Sequence, residues 1–204
     1  MATDKDSRST RTREDFETYY ADKPPWDIGR PQPAFLALAQ AGAIRGRVLD
    51  VGCGTGEHVL MAAAMGLDAT GVDVASTAIE IAEGKAQERG LSARFLVCDA
   101  LQLRSLNEQF DTVLDCGLFH NFDDDNRPRF ADSLRAVMKP GGRYFMMCSS
   151  DRQPGDFGPR RVTQDEIRDS FKDGWTVDSI QPGKFDVVTD PDGHLMWLAT
   201  ITRA

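Results

Sequence analysis

The sequence predicts an α/β fold built on a mostly parallel sheet of about seven strands. Short apolar runs alternate with helical patterns through most of the 204 residues, which is typical of βαβ units. The last two strand-like runs have no long helix between them, so we expect them to pair antiparallel at the far edge of the sheet. A chain of this length can bury one core without help from disulfides or metals.

The predicted strands are short and apolar, and turn residues separate them from the helices. They cover residues 47–51, 68–74, 94–98, 110–116, 143–148, 175–180 and 195–202. Helical patterns with an apolar stripe cover residues 57–65 and 76–89. A third helix starts at the acidic residues 123–125 and carries an apolar stripe through Met138 until Pro140 ends it. Thr163 and Glu166 have the spacing of a capping box and open a short helix.

Charge and composition exclude several classes of function. Twenty-four Lys and Arg against thirty-two Asp and Glu give a net charge of −8, which argues against nucleic acid or an anionic membrane as a partner. No apolar run approaches the ~20 residues that span a bilayer, and the N-terminus lacks the apolar region of a secretory signal. The four cysteines form neither a CxxC pair nor a zinc-site spacing, so we expect reduced thiols, no metal and a cytoplasmic location.

The strongest motif is a glycine loop directly after the first predicted strand. Gly52, Gly54 and Gly56 alternate with Cys53 and a threonine, which is the pattern GxGxG. Glycine lets a backbone adopt positive φ and approach a ligand closely. A dinucleotide site needs GxGxxG, and here the position after that spacing is Glu57, whose charge would oppose a pyrophosphate. The loop therefore favours a nucleoside without phosphates.

Carboxylates lie at the ends of three predicted strands, where open α/β sheets bind their ligands. Asp73 ends the second strand and is placed to accept hydrogen bonds from both hydroxyls of a ribose. Asp99 and Ala100 end the third, where they would read the amino edge of an adenine. Asp50 directly precedes the glycine loop and would either hold that loop or meet an ammonium group.

Residues 46–149 resemble the class I S-adenosylmethionine-dependent methyltransferases. The resemblance rests on VLDVGCGTG, GVDV, CDAL, FDTVLDCGLFH and LRAVMKPGGRYF, in this order and at family-like intervals. It implies a three-layer, Rossmann-like fold with a seven-stranded, mostly parallel sheet and an antiparallel last strand. It also implies S-adenosyl-L-methionine as cofactor, with S-adenosyl-L-homocysteine as product. The cofactor residues expected in this core are Asp50, Gly52, Cys53, Gly54, Gly56, Asp73, Val74, Asp99, Ala100 and Cys116.

A second resemblance precedes this core. Residues 19–33, with Tyr-Tyr followed by PPWDIGRPQP, are similar to the N-terminal segment of thiopurine, halide and thiol methyltransferases, and tellurite-resistance methyltransferases share part of it. In that group the segment folds over the cofactor and closes the substrate pocket. The resemblance implies roles for Trp26, Gly29 and Arg30, with the indole near the cationic sulfonium. The chain thus divides into a disordered tail (1–15), a helical capping arm (16–45) and a methyltransferase domain (46–204).

His120 follows the fourth predicted strand and is expected near the transferred methyl group. Its unperturbed pKa of ~6.5 suits a general base, although a role in orienting the substrate, or simple packing beside the cofactor, is equally compatible with the sequence. The residues expected to bind substrate are Tyr19, Tyr20, Arg30, Phe119, His120 and Arg152, and further aromatic candidates for the wall are Phe16, Phe122, Phe157 and Trp175. His58 is expected to be structural or adjacent to the cofactor, and His194 to be solvated.

These observations predict a small-molecule methyltransferase. The acceptor would be a compact aromatic or heterocyclic molecule methylated on sulfur, oxygen or nitrogen, or a halide or thiol, in detoxification or secondary metabolism. Methylation of a natural product or of a quinone or lipid precursor is an alternative. A catalytically silent cofactor-binding regulator is the alternative from another class. The sequence leaves the oligomeric state open between a monomer and a weak dimer.

Overall fold

The computed structural model describes residues 11–155 and 158–204, which form six α-helices and seven strands. The helices are α1 (Arg13–Ala21), α2 (Pro33–Gln40), α3 (Glu57–Ala64), α4 (Ser76–Glu88), α5 (Asn126–Val137) and α6 (Gln164–Ser170). The strands are β1 (Arg47–Val51), β2 (Asp68–Asp73), β3 (Arg94–Val97), β4 (Phe110–Cys116), β5 (Met138–Ser149), β6 (Trp175–Val187) and β7 (Asp190–Arg203). Two 3₁₀ segments cover Ala100–Leu106 and Phe119–Asn121. None of the helices within these described ranges has the length and apolar character needed to cross a bilayer.

All seven strands form one sheet in the order β3-β2-β1-β4-β5-β7-β6. Strands β1 to β5 pair in parallel, whereas β7 is antiparallel to both β5 and β6. The predicted sheet, including the antiparallel pairing at its far edge, is therefore confirmed. The reversal of strand order between β1 and β4 opens a crevice at the carboxyl ends of these strands, where α/β folds bind ligands.

Apolar residues cover both faces of the sheet, as expected for a three-layer fold. Leu49 and Val51 pack with α5 on one face, while Val48 packs with α2, α3 and α4 on the other. This alternation follows from the twofold side-chain period of a strand. The two helical layers cover both faces of the sheet and leave its carboxyl edge open.

The boundary between α5 and β5 differs from the prediction. The apolar stripe predicted a helix through Met138, but α5 ends at Val137 and Met138 is the buried first residue of β5. Pro140 disfavours helical backbone in the residue before it, so the chain becomes extended here. Met138 then pairs with Phe110 on β4, and its burial fits a strand as well as a helix.

The N-terminal helix begins inside the segment that was assigned to a tail. Thr12 and Asp15 form a reciprocal capping box, so α1 starts at Arg13 rather than after residue 15. Residues 1–10, which carry most of the predicted tail, lie outside the described part of the chain. The arm thus consists of α1, a connecting segment and α2.

Two glycines in neighbouring elements provide a test of this packing. A Cβ at Gly71 in β2 would lie 2.8 Å from both Cys53 Sγ and Val59 Cγ2, so Gly71→Ala should destabilise the protein by about 1–3 kcal/mol. Gly84 in α4 has open space around its Cα, so Gly84→Ala should stabilise by about 0.5–1 kcal/mol. Urea unfolding of the two variants measures both effects, and equal changes would contradict this packing.

Candidate active site

A cavity of about 840 Å³ lies at the carboxyl edge of the sheet, between the arm, the glycine loop and the β6–β7 hairpin. It is lined by thirteen of the residues expected to form the site. These are Tyr19, Tyr20, Trp26, Arg30, Gly52, Cys53, Gly54, Asp73, Val74, Asp99, Ala100, Cys116 and His120. Gly29, Asp50, Gly56, Phe119 and Arg152 do not line it.

The glycine loop has the positive φ angles that its sequence predicts, but its three glycines serve different purposes. Gly52 and Gly54 face the cavity, and a Cβ at Gly54 would lie 2.7 Å from the hydroxyl of Tyr20. Gly56 instead caps the start of α3, and a Cβ there would lie 2.8 Å from the Phe95 ring. Gly56 therefore allows the helix to approach the sheet and does not line the cavity.

The two carboxylates expected to bind the nucleoside both line the cavity. Asp73 is buried, and its oxygens accept hydrogen bonds from the backbone N–H groups of Gly54 and Ala75, each at 2.9 Å. Burial raises the pKa of Asp73, and these backbone donors oppose the shift. Asp99 is exposed and caps the following 3₁₀ segment by accepting from Leu101 N. Each carboxylate retains lone pairs for a ligand donor.

Asp50 is buried beneath the loop rather than in the cavity wall. Neither of its oxygens has a hydrogen-bond partner among the described residues, and the nearest histidine nitrogen, His58 Nδ1, is 3.8 Å away. Burial, with Asp115 and Asp73 nearby, raises the pKa of Asp50 far above its usual value. Buried carboxyl groups of this kind are stabilised by a cation. Asp50 could therefore attract the ammonium group of the expected cofactor from beneath the loop, but it does not offer direct contact from the cavity wall.

Glu57 is less of a barrier to phosphate than its charge suggested. Its carboxylate is paired with Lys85 at 2.9 Å and with Arg89 at 2.8 Å, and Lys85 also donates to Thr55 Oγ1. These partners balance the charge that was expected to oppose a pyrophosphate. The preference for a nucleoside without phosphates therefore rests on the GxGxG spacing.

His120 is held in one tautomer by the backbone of β5. Its Nδ1 accepts a hydrogen bond from Ser149 N at 3.0 Å, so in the neutral ring the proton must be on Nε2. Burial, with Arg11, His194 and Arg161 nearby, lowers the pKa of His120 to about 3. A neutral ring with Nε2–H is a hydrogen-bond donor. Between the roles that the sequence left open, this geometry favours orienting the substrate over accepting its proton.

A hydrogen-bonded group behind His120 was not anticipated from the sequence. Ser149 Oγ lies 2.8 Å from His194 Nε2 and 3.4 Å from Arg161 Nη1. His194 was expected to be solvated in a turn, but it is half-buried on β7 and lines the cavity. The error arose because β7 begins five residues earlier than predicted, at Asp190. The pairing of β5 with β7 then brings His194 beside the end of β5.

Asp115 supports the turn that carries His120. Its Oδ1 accepts from Leu118 N and Phe119 N, and its Oδ2 accepts from the Tyr144 hydroxyl at 2.7 Å. Burial raises the pKa of Asp115 to about 7, although these donors favour the charged form. The motif FDTVLDC placed Asp115 on a strand but gave no sign of this role.

Phe119 and Arg152, which were expected to bind substrate, are directed elsewhere. Phe119 is fully buried against Phe130 and Phe171, because the short 3₁₀ turn directs neighbouring residues to different sides. Arg152 is exposed, with its guanidinium over the ring of Trp197. Among the other wall candidates, Phe16 and Phe122 line the cavity, Trp175 is in the core, and Phe157 lies outside the described residues.

The arm covers one side of the cavity with aromatic rings. Trp26 makes edge-to-face contacts with Tyr19 and Tyr20, at centroid distances of 5.3 and 6.4 Å. Glu17 of α1 accepts hydrogen bonds from Ser76 N and Thr77 N, and so caps α4. Gly29, at φ +69°, bends the arm chain and makes no wall contact.

Comparison with known proteins relates this chain to methyltransferases. A family model described as "Methyltransferase domain" matches residues 48–142. The 2-heptyl-1-hydroxyquinolin-4(1H)-one methyltransferase of Mycobacteroides abscessus is 38% identical over 80% of this chain and 74% of its own length. A probable thiol methyltransferase 2 of Arabidopsis thaliana is 30% identical over 68% of this chain and 63% of its own length.

A solved structure is also similar over nearly the whole chain. It comes from work on the conversion of a disulfide bond into a thioacetal group during echinomycin biosynthesis. It is 37% identical, with a TM-score of 0.85, and the match covers 94% of this chain and 93% of that chain. The arm is therefore included in the similarity, as well as the sheet.

Asp115 makes stability depend on pH. Its folded-state pKa of about 7 exceeds the ordinary 3.8, so the folded state binds the extra proton between these values. The stability contributed by protonated Asp115 should be complete below about pH 4 and lost as pH rises through 7. As pH rises from about 4 to 7, we expect the free energy of unfolding of Asp115→Asn, measured in urea, to increase relative to that of the wild type.

Asp111, on the same strand, supplies the control. Lys139 and the backbone N–H of Arg47 hold the pKa of Asp111 below its usual value. The stability that charged Asp111 contributes is therefore present above about pH 4 and lost at lower pH. Between about pH 4 and 7, the free energies of unfolding of Asp111→Asn and the wild type should differ by a constant amount. A constant difference for Asp115→Asn as well would contradict the raised pKa.

Proposed function

We propose that this chain, which belongs to the class I S-adenosylmethionine-dependent methyltransferases and is related to the thiol methyltransferase group, methylates a planar heterocycle. The methyl group would be transferred to an acidic oxygen or sulfur of that heterocycle. The enzyme transfers the methyl group of S-adenosylmethionine to a small molecule. The observation that carries the acceptor proposal is the hydrogen bond from Ser149 N to His120 Nδ1. This bond leaves the Nε2–H group of His120 free to donate a hydrogen bond to a methyl acceptor that binds in its deprotonated form.

The charges around His120 support an anionic acceptor. Arg11 and Arg161 lie close enough to lower the pKa of His120, and the same positive field would lower the pKa of an acidic hydroxyl or thiol bound there. An anion needs no general base, because its lone pair can attack directly. The protein then has to orient the nucleophile in line and exclude water.

The cofactor supplies the activated methyl group on its sulfonium. We propose that Asp73 binds the ribose hydroxyls and that Asp99 and Ala100 face the adenine, because all three line the cavity beside the glycine loop. Asp50, whose buried oxygens have no described partner, is proposed to attract the ammonium group through its charge from beneath the loop, since it does not line the cavity. The remaining proposed contacts are from Trp26, Gly52, Cys53, Gly54, Val74 and Cys116.

The shape of the acceptor end supports a flat molecule. A Cβ at Gly117 would lie 3.6 Å from His120 Cε1 and 4.0 Å from Phe185 Cε2, so the missing side chain leaves space beside both rings. Phe122 adds a further aromatic surface to the cavity. The Mycobacteroides abscessus relative is named for a hydroxyquinolone, which is a planar heterocycle with an N-hydroxyl group.

The chain's similarity to named methyltransferases favours an enzyme over a silent cofactor-binding regulator. The echinomycin-related structure keeps natural-product methylation as the second candidate within this class. We also propose a cytoplasmic location and a monomer or weak dimer without nucleic acid as partner. The net charge of −8 and four free cysteines support the location and the absence of nucleic acid.

Asp73 should control cofactor affinity. Asp73→Ala removes charge-assisted hydrogen bonds, so calorimetry with S-adenosylhomocysteine should show about 10–100-fold weaker binding. Asp68→Ala, at the exposed start of the same strand, is the control and should leave the affinity unchanged. Unchanged affinity in Asp73→Ala would exclude the ribose assignment.

An acceptor panel tests the proposed function. Release of S-adenosylhomocysteine should be fastest with N-hydroxyquinolones, hydroxyquinolines and aromatic thiols, slower with a simple phenol and absent with aliphatic amines. His120→Ala should lower the rate of methyl transfer to every accepted substrate by about 10–100-fold, because it removes one hydrogen bond to an anion.

Comparing acceptors of different acidity separates the two roles of His120. As a donor, His120 contributes similarly to an acidic N-hydroxy compound and a weakly acidic phenol. As a base, it would matter far more for the phenol, which arrives protonated. His120→Gln retains an N–H donor and should recover part of the lost rate. A much larger loss with the phenol would show that His120 acts as a base, and turnover of amines alone would refute the acceptor class.

A further inference from the structure

Gln32, between the arm's connecting segment and α2, makes a paired amide contact with β6. Its buried side chain donates from Nε2 to Asp186 O at 2.9 Å and accepts at Oε1 from Asp186 N at 2.8 Å. A cyclic pair of this kind fixes both partners, because either bond alone would leave a buried polar group unsatisfied. The arm is therefore attached to β6 by a buried side chain that two hydrogen bonds hold in one orientation.

The backbone of Gln32 attaches the arm to the helix that follows the glycine loop. Gln32 N donates to His58 Nε2 at 3.1 Å, so neutral His58 must have its proton on Nδ1. That nitrogen lies 3.8 Å from the carboxyl group of Asp50, for which the described part of the chain provides no hydrogen-bond partner. Gln32 O accepts from Leu36 N and closes the first turn of α2. One residue thus connects the arm, α3 and β6.

The arm also follows the open edge of the sheet, where β6 is the last strand. Val188 N donates to Pro25 O at 2.9 Å, and Arg30 pairs with Asp186 at 2.7 Å. The Val188–Pro25 bond and the two backbone bonds of Asp186 to Gln32 satisfy backbone groups that this edge of the sheet would otherwise present to solvent. The ion pair is exposed and adds little to this attachment, whereas the Gln32 pair is buried.

The β6–β7 hairpin beyond this contact lines the end of the cavity that we assign to the acceptor. Phe185 lines the cavity and pairs in register with His194 on β7. His194 in turn contacts Ser149, whose N–H holds the ring of His120. Displacement of the hairpin at Asp186 would therefore reach the residue that orients the acceptor.

We infer that Gln32 is a positioning residue that makes the arm and the β6–β7 hairpin close as one unit, so that cofactor binding under the arm also orders the acceptor wall. The inference rests on the proposed function for its cofactor and acceptor ends. The arm contacts the cofactor side through Tyr20 and Trp26, and the hairpin contacts the acceptor side through Phe185. Gln32 connects the two by the Asp186 pair.

Hydrogen exchange with S-adenosylhomocysteine as the only ligand tests this coupling without an acceptor. The probes are the backbone amides of residues 22–32 in the arm and 184–196 in the hairpin. In the wild type, the ligand should slow exchange in both segments by about tenfold or more, in the range of ordinary coupling. In Gln32→Met, which keeps the side-chain length but loses both amide bonds, the arm should remain protected while protection of the hairpin falls below about twofold.

Gln40→Ala, at the exposed end of α2, is the matched control and should behave as the wild type. Gln32→Glu keeps the acceptor for Asp186 N but loses the donor, and replaces Gln32→Met if that variant does not fold. Equal hairpin protection in the Gln32 variant and wild type would overturn the inference, as would a wild-type hairpin that S-adenosylhomocysteine does not protect. Failure of the wild type to bind S-adenosylhomocysteine in calorimetry would instead refute the proposed cofactor site.

Discussion

Burying carboxyl groups close together in a low-dielectric site costs free energy, and at the carboxyl edge of this sheet Asp50, Asp73 and Asp115 are all buried. Each of these carboxyl groups is stabilised in a different way. Asp73 takes backbone donors from the glycine loop and the start of α4, which fixes the loop. Asp115 takes donors from the turn after β4 and from Tyr144, which fixes the turn that carries His120. Asp50 has no donor in the described structure, so a bound cation provides the largest gain there.

The far end of the cavity has the opposite electrostatic character. His120 offers Nε2–H, and Arg11 and Arg161 lie near it. A cationic methyl donor at the carboxylate end and an anionic acceptor at this end would neutralise each other as the methyl group is transferred. Exclusion of water by the arm strengthens the attraction between the charges before transfer. The products are less charged than the reactants, so the same field holds them less tightly.

The local parts of this site could be predicted from sequence because they depend on short-range geometry. The spacing of Gly52, Gly54 and Gly56 identified the loop, and strand ends identified Asp73 and Asp99. His194 and Gln32 were missed because their partners are distant in sequence and depend on the register between strands. Gly56 and Phe119 were placed in the ligand wall because sequence spacing does not show which way a residue in a tight turn faces.

Attachment of the arm depends on both of its ends, and the N-terminal end acts through a helix terminus. Ala75 precedes α4 without a side-chain acceptor, and Glu17 supplies that acceptor from α1. Its hydrogen bonds with Ser76 and Thr77 lower the pKa of Glu17 to about 2 against the opposing effect of desolvation, so the cap remains charged at neutral pH. The cap lies next to Asp73, because α4 begins three residues after it. Docking of α1 therefore completes the cap of α4 beside Asp73, the residue proposed to bind the ribose. In the proposed coupling, Gln32 would extend closure of the arm to the acceptor wall.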